Sequence, residues 1–268
     1  FFLGAHALAP ALGAPRDGLA WPYQRAISLA ALVYAALGLL LFRRVLRALS
    51  VGEATQTTLI LLLGFATQLV QYVSIQPGWS HVYSFFLVSG WLHLTQRYTD
   101  APTRSRLLAW AAVFGLIVLV RPVNGLVGLA VPVVLGARTI DWWWALWRDF
   151  PALLLAALAF GAVVGVQALL WYVQTGRLVA DGYKGEGFHW DRPEVFQVLF
   201  GVRRGLFVWA PALLAAAVAV PLLWRGDRVR AIGAALYWAA NTYVISCWWI
   251  WFYGSGWGQR VYVDHYPV

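Results

Sequence analysis

Apolar residues fall in long runs separated by short polar breaks, roughly at 26–42, 56–73, 81–96, 107–120, 123–136, 151–173, 206–224 and 231–252. Several of these reach the ~20 residues a helix needs to span ~30 Å of hydrocarbon. The pattern predicts an all-α integral membrane protein: a polytopic transmembrane helix bundle of about eight membrane segments, forming a single domain over 1–268. The runs 107–120 and 123–136 are short, and Arg121-Pro122-Val123-Asn124 splits them. Proline ends a helix and pushes the residue before it out of the α region, so this pair is expected as two short spans or as a hairpin of half-helices. No internal repeat, heptad or low-complexity linker stands out.

Composition supports the membrane reading. The chain is 61% hydrophobic and 12% charged, whereas a soluble domain carries about 25% charged residues. Its net charge of +9 comes almost wholly from arginine, Lys184 being the one lysine. If each run crosses once, the connections 43–55, 97–106, 137–150 and 225–230 share one side. They hold Arg43, Arg44, Arg47, Arg97, Arg104, Arg106, Arg138, Arg148, Arg225, Arg228 and Arg230. Short basic loops face the cytoplasm, which predicts a multi-pass protein of a bacterial inner membrane. The N-terminal stretch, 74–80, 121–124, the long loop 174–205 and 253–268 are then external. No basic stripe on a soluble face points to nucleic acid. The single cysteine, Cys247, excludes a disulfide framework or a cysteine-based metal site. Phe1 in place of a starting Met suggests a fragment, truncated at both ends.

The chemically dense stretches all fall on the predicted outer side. In Gln76-Pro77-Gly78-Trp79-Ser80-His81, Ser80 is a candidate N-cap and His81 sits in the first turn, where free N–H groups favour anions. Arg121 ends an apolar run beside Asn124. Its guanidinium can bind phosphate bidentately, or it can simply snorkel to the interface. In the external loop, Gly182, Gly185 and Gly187 interleave with Tyr183, Phe188 and Trp190, and Glu186, His189, Asp191 and Glu194 supply acid/base groups. Aromatic faces beside carboxylates suit sugar rings. The spacing of His189, Asp191 and Glu194 matches no recognised metal motif; no cofactor is identified, and a divalent metal is conceivable but unsupported. Arg203 and Arg204 at the outer end of a span run against the positive-inside bias, which favours an anion-binding role.

The closing segment turns from Trp248-Trp249-Ile250-Trp251-Phe252-Tyr253 through Gly254, Gly256 and Gly258 into Gln259, Arg260, Asp264 and His265. Arg260 and Asp264, four apart, are expected either as a helical ion pair or as an anion contact and a hydroxyl contact at the rim of a site. Trp142-Trp143-Trp144 and Trp147, with Asp141, Arg148 and Asp149, predict an interfacial amphipathic helix on the cytoplasmic side.

The ordered set Gln76–His81, Tyr83–Phe86, Arg121–Asn124, Gly187–Trp190, Arg204–Phe207 with Ala210-Pro211, Trp248-Trp249, Gly258–Arg260 and Asp264 resembles a family of uncharacterised bacterial polytopic proteins. That family belongs to the GT-C glycosyltransferase superfamily and is related to lipid-carrier-dependent protein mannosyltransferases and aminoarabinose transferases. The resemblance implies a GT-C-like membrane fold and sugar transfer from a polyprenyl-phosphate donor on the outer face. It places the superfamily's catalytic carboxylate in a loop upstream of Phe1, with Phe1–Gln24 as the tail of a second span and its linker. The chemistry requires cations for the departing phosphate and a carboxylate for the acceptor hydroxyl. Arg121, Arg203, Arg204, Arg260 and His81 are the candidate phosphate contacts. Asp264, Glu186, Asp191, His189, Trp190 and Asn124 are the candidate sugar or acceptor contacts. The competing readings are a lipid or solute transporter or flippase, which would place ionisable groups such as His93 within spans, and a non-catalytic subunit of a membrane complex.

Overall fold

The computed structural model describes residues 1–180 and 185–268, so Asp181, Gly182, Tyr183 and Lys184 of the aromatic loop lie outside the described residues. Every regular element among the described residues is a helix, and an isolated bridge pairs Phe188 with Trp248. Helices α1 (Phe2–Leu8), α2 (Trp21–Ala48), α3 (Glu53–Phe65), α4 (Leu69–Ser74), α5 (His81–Asp100) and α6 (Arg104–Val120) lead to a 3₁₀ stretch, Pro122–Ala130. Helices α7 (Val131–Leu135), α8 (Arg138–Arg148), α9 (Phe150–Thr175), α10 (Val195–Phe200), α11 (Leu206–Trp209), α12 (Leu214–Gly226) and α13 (Arg228–Ser246) follow, and the chain closes with a 3₁₀ turn, Arg260–His265.

The expectation of about eight spans is overturned. Among the described residues two helices, α2 and α9, are long and apolar enough to cross a membrane, and a polytopic bundle is not supported. The run 56–73 divides into 13-residue α3 and six-residue α4, because Thr67 leaves the helical path and donates its hydroxyl to the Leu63 carbonyl. Helix α6 stops at 17 residues before Pro122, and 123–136 becomes 3₁₀ helix plus five-residue α7 rather than a second half-helix. At 1.5 Å per residue, α3 and α6 fall short of the hydrocarbon thickness. Helices α5 and α13 have the length but not the apolarity: α5 carries His81, His93, Gln96, Arg97 and Asp100, and α13 carries Arg228, Arg230 and Asn241. Two helices could therefore cross a membrane. The most apolar stretch of α9 is only 6% buried, unlike a soluble core helix, and it exposes Leu154, Leu158, Val166, Leu169 and Val173.

Close approaches at two glycines set the helix packing. Gly38 of α2 leaves room for the Phe85 ring of α5, and Gly115 of α6 lets the Phe160 carbonyl and Val163 of α9 approach. One core cluster gathers Tyr72, Phe85, Ile245, Tyr262 and Val263; a second gathers Trp91, Ile117, Val127, Trp142 and Tyr237. The basic connections meet at one end. Arg138 Nη2 lies 3.0 Å from Asp100 Oδ1, Arg230 Nη1 donates to the Val133 carbonyl at 3.0 Å, and Gln96 Nε2 donates to the Val45 carbonyl at 3.3 Å. The start of α5, the end of α6 and the closing 3₁₀ turn converge elsewhere, around Asp264.

Candidate functional site

Asp264 is fully buried. Its Oδ1 lies 2.7 Å from His81 Nδ1, and its Oδ2 accepts from Asn124 Nδ2 at 2.8 Å. Asn124 also donates to Ser84 Oγ at 3.2 Å. Arg121 Nη1 sits 3.6 Å from Oδ2 and 3.1 Å from His81 Nδ1. That nitrogen carries at most one proton, and the shorter contact takes it, so His81 donates to Asp264 and Arg121 faces the pair as a charge. Burial opposes ionisation of Asp264, but His81 and Arg121 outweigh it and hold the carboxyl at about 2. Burial in turn holds His81 below its ordinary value, against the pull of Asp264.

Of the two readings of Arg260 and Asp264, the direct ion pair does not form. The segment 260–265 is 3₁₀ rather than α-helix, and with three residues per turn, positions four apart point in different directions. The Arg260 guanidinium instead lies 4.0 Å above the Trp79 ring, and Trp79 stacks on His81 with centroids 6.1 Å apart. Arg260 Nη1 donates to the Ser255 carbonyl at 2.8 Å, while its buried Nε has no partner among the described residues. Burial brings the Arg260 guanidinium down to about 10, so it remains charged near neutrality. Ser80 occupies the N-cap position of α5 but its side chain makes no capping bond, and His81 is a buried ring rather than an interfacial one.

The Gly254–Gly258 strap carries Arg260 to this position. Tyr72 holds it, donating to the Trp257 carbonyl at 3.2 Å and accepting from the Trp257 N–H at 3.1 Å. Gly258 has φ 56°, and a Cβ there would meet the Gln68 amide, so only glycine fits. Tyr253 has φ 53°, a left-handed conformation that costs a non-glycine residue of order 1–3 kcal/mol and turns its ring to the cavity.

That cavity, about 500 Å³, is lined by Arg121, Asn124, Glu186, Phe188, Trp248, Trp249, Tyr253, Arg260 and His265, with apolar neighbours. Glu186 is carried there by a backbone pairing of two loops: Trp249 N–H donates to the Gly187 carbonyl at 3.0 Å and His189 N–H to the Cys247 carbonyl at 2.6 Å. An apolar groove of about 610 Å³, lined by Pro122, Val123, Gly125, Leu126, Gly128, Leu129, Trp143 and Val244, shares Pro122 and Val123 with the cavity. Two guanidiniums thus face the cavity, and the apolar groove borders that cavity at Pro122 and Val123.

Of the residues singled out in the sequence, Arg121, Asn124, Glu186 and Arg260 line the cavity, and His81 and Asp264 support its wall. The others are absent from its lining. Arg204 donates to the Phe252 carbonyl at 3.3 Å, and Arg203 stacks 3.5 Å from the Phe252 ring. Asp191 pairs with its exposed neighbour Arg192, and His189 is exposed. Trp190 stacks on Phe188 and accepts from the Tyr243 hydroxyl at 2.8 Å. Among the described residues no group of three His, Cys, Asp or Glu side chains could hold a metal ion.

His265, Trp79, Tyr72 and Tyr253 belong to the site without having been assigned to it from sequence. Only His265, next to Asp264, carried a local signal. It is buried, and its Nδ1 lies 2.7 Å from the Tyr237 hydroxyl, which donates to it when the ring is neutral. Burial brings His265 down to about 4 from an ordinary 6.5. Between those values the unfolded chain binds a proton that the folded chain refuses, so stability falls as pH drops from about 6.5 towards 4. The Asp264 contribution, present above its ordinary 3.8, is lost only as pH falls from there towards 2. Thermal unfolding in detergent is therefore expected to show destabilisation well above pH 4, with a shallower slope in His265→Gln. A midpoint constant from pH 7 to 4 would contradict the neutral buried histidine.

Compared with known proteins, the chain matches no family model, no curated protein and no solved structure.

Proposed function

We propose that the cavity and its bordering groove bind an anionic amphiphile, a polyprenyl-phosphate sugar, and that the protein is a lipid-carrier-dependent glycosyltransferase akin to protein mannosyltransferases and aminoarabinose transferases. The observation that carries this reading is the junction at Pro122 and Val123 between the arginine-bearing cavity and the apolar groove. A phosphate suits Arg121 and Arg260, since guanidinium offers it paired donors. An extended hydrocarbon chain suits Pro122–Leu129, and Phe188, Trp249 and Tyr253 offer faces for a sugar ring. In the reaction the acceptor hydroxyl attacks the anomeric carbon, the bond from that carbon to the phosphate oxygen breaks, and the arginines stabilise the departing charge. Glu186, the carboxylate in the cavity lining, stands on the acceptor side and takes the proton of the attacking hydroxyl. The setting is the bacterial inner membrane with the cavity on the outer face.

Radiolabelled polyprenyl-phosphate sugar is expected to bind the protein in lipid nanodiscs saturably, to be competed by unlabelled donor, and to be competed poorly by the free polyprenol. Loss of binding in Arg121→Ala/Arg260→Ala would support the assignment. Binding unchanged in that double variant, or full competition by polyprenol, would remove the phosphate from the cavity. Binding followed by movement of intact donor between leaflets, with no sugar transferred to any acceptor, would make the protein a flippase instead.

A further inference from the structure

We infer that α8 is a membrane-surface anchor whose outward stripe, Ile140, Trp143, Trp144 and Trp147, sits at the headgroup–acyl boundary of a leaflet rich in anionic phospholipid. The helix has two apolar faces. The first buries Thr139, Trp142 and Leu146, with Trp142 edge-on to Trp110 at 5.7 Å and to Tyr98 at 6.4 Å, and it packs the helix on the protein, while Trp143 at the margin also borders the apolar groove. The second runs at i, i+3, i+4, i+7 and stays outside, with Trp144 60% and Trp147 67% exposed. These four residues by themselves line an open cleft of about 420 Å³. Tryptophan stripes at helical spacing on a short helix are what the interfacial zone binds, ring in hydrocarbon and N–H among headgroups.

Charge selects lipid over a second copy of the chain as the occupant. The four connections at this end carry eleven arginines against five carboxylates, and the contacts through Arg138, Arg230 and Gln96 gather them together. Arg148 lies 5.8 Å over the Trp144 ring, at the edge of the stripe. Such a surface attracts anionic headgroups and repels its own like. Position agrees. Helix α9 begins at Phe150, two residues after α8 ends, and its exposed apolar side starts there with Phe150 and Leu154. The stripe therefore lies at the level where that candidate span would enter the bilayer.

The test places a nitroxide on Ile140→Cys or Trp144→Cys, and on Asp141→Cys at the exposed flank, in the full chain with Cys247→Ala, reconstituted into phosphatidylcholine–phosphatidylglycerol vesicles. Because Cys247 is buried, it can be kept if that substitution prevents folding. Labels at 140 and 144 are expected to collide severalfold more with dissolved oxygen than with an aqueous nickel chelate, the order reversing at 141. In phosphatidylcholine alone the preference at 144 should weaken. Equal nickel access at 144 and 141, spin–spin broadening from a second copy, or a ratio indifferent to phosphatidylglycerol would each overturn the proposal.

Discussion

Asp264→Ala is expected to lower folding stability by about 3–5 kcal/mol, the range for removing one partner of a buried charge pair. The carboxylate is fully buried, and its loss strands three groups at once: the His81 ring N–H, the Asn124 amide and the Arg121 charge. Asp264→Asn should recover part of that loss. A neutral His81 can switch tautomer and accept from the new amide, leaving the Asn124 bond on the remaining oxygen. Only the Arg121 counter-charge would then be missing. Unfolding in detergent, followed by circular dichroism, measures both variants. A loss below about 1 kcal/mol in the alanine variant, typical of an exposed pair, would show that the buried network does not support the fold.

That network explains why the chain was only partly legible. A hydropathy run averages over residues and cannot see where a helix breaks, so 56–73 and 123–136 resembled spans although Thr67 and Pro122 interrupt them. Nor does it separate polar residues facing a protein neighbour from residues that would forbid a span. Ser84, Ser89, Thr95 and Gln96 of α5 are all buried. The site fared better, because a charged or amide side chain ending an apolar run is conspicuous wherever the partner lies: His81, Arg121, Asn124, Arg260 and Asp264 stood out and do assemble. Their pairing did not. Local spacing joined Asp264 to Arg260, whereas the fold joins it to His81, 183 residues away. Trp79 and Tyr72 gave no signal, since an aromatic that supports a cation is indistinguishable in sequence from one that fills a core. The loop from Glu186 to Glu194 misled in the opposite way. His189, Asp191 and Trp190 have suitable chemistry, but among the described residues of the loop the backbone pairing through Gly187 and His189 turns Glu186 and Phe188 to the cavity.

Replacing the cavity arginines should separate chemistry from support. Arg260→Ala is expected to lower kcat for the proposed sugar transfer by on the order of 10²–10³, the effect of deleting one preorganised donor to a developing charge, with little change in stability, because the Arg260 side chain makes a single backbone hydrogen bond and a ring contact. Arg121→Ala should lower transfer comparably and also destabilise the fold, because Arg121 is the fixed cation beside Asp264. Arg260→Lys should restore only part of the rate: an ammonium keeps the charge but loses the planar fork and the flat stack on Trp79. Arg203→Ala, whose guanidinium stacks on Phe252 away from the cavity, should leave kcat close to the wild type. Steady-state transfer from a radiolabelled donor, with each variant's unfolding midpoint measured alongside, resolves the set. Equal losses in Arg203→Ala and Arg260→Ala would mean that transfer senses only the overall positive charge of this face. A loss confined to Arg121 and Arg260 would mean that two positioned guanidiniums meet the phosphate, a distinction that stability alone cannot make.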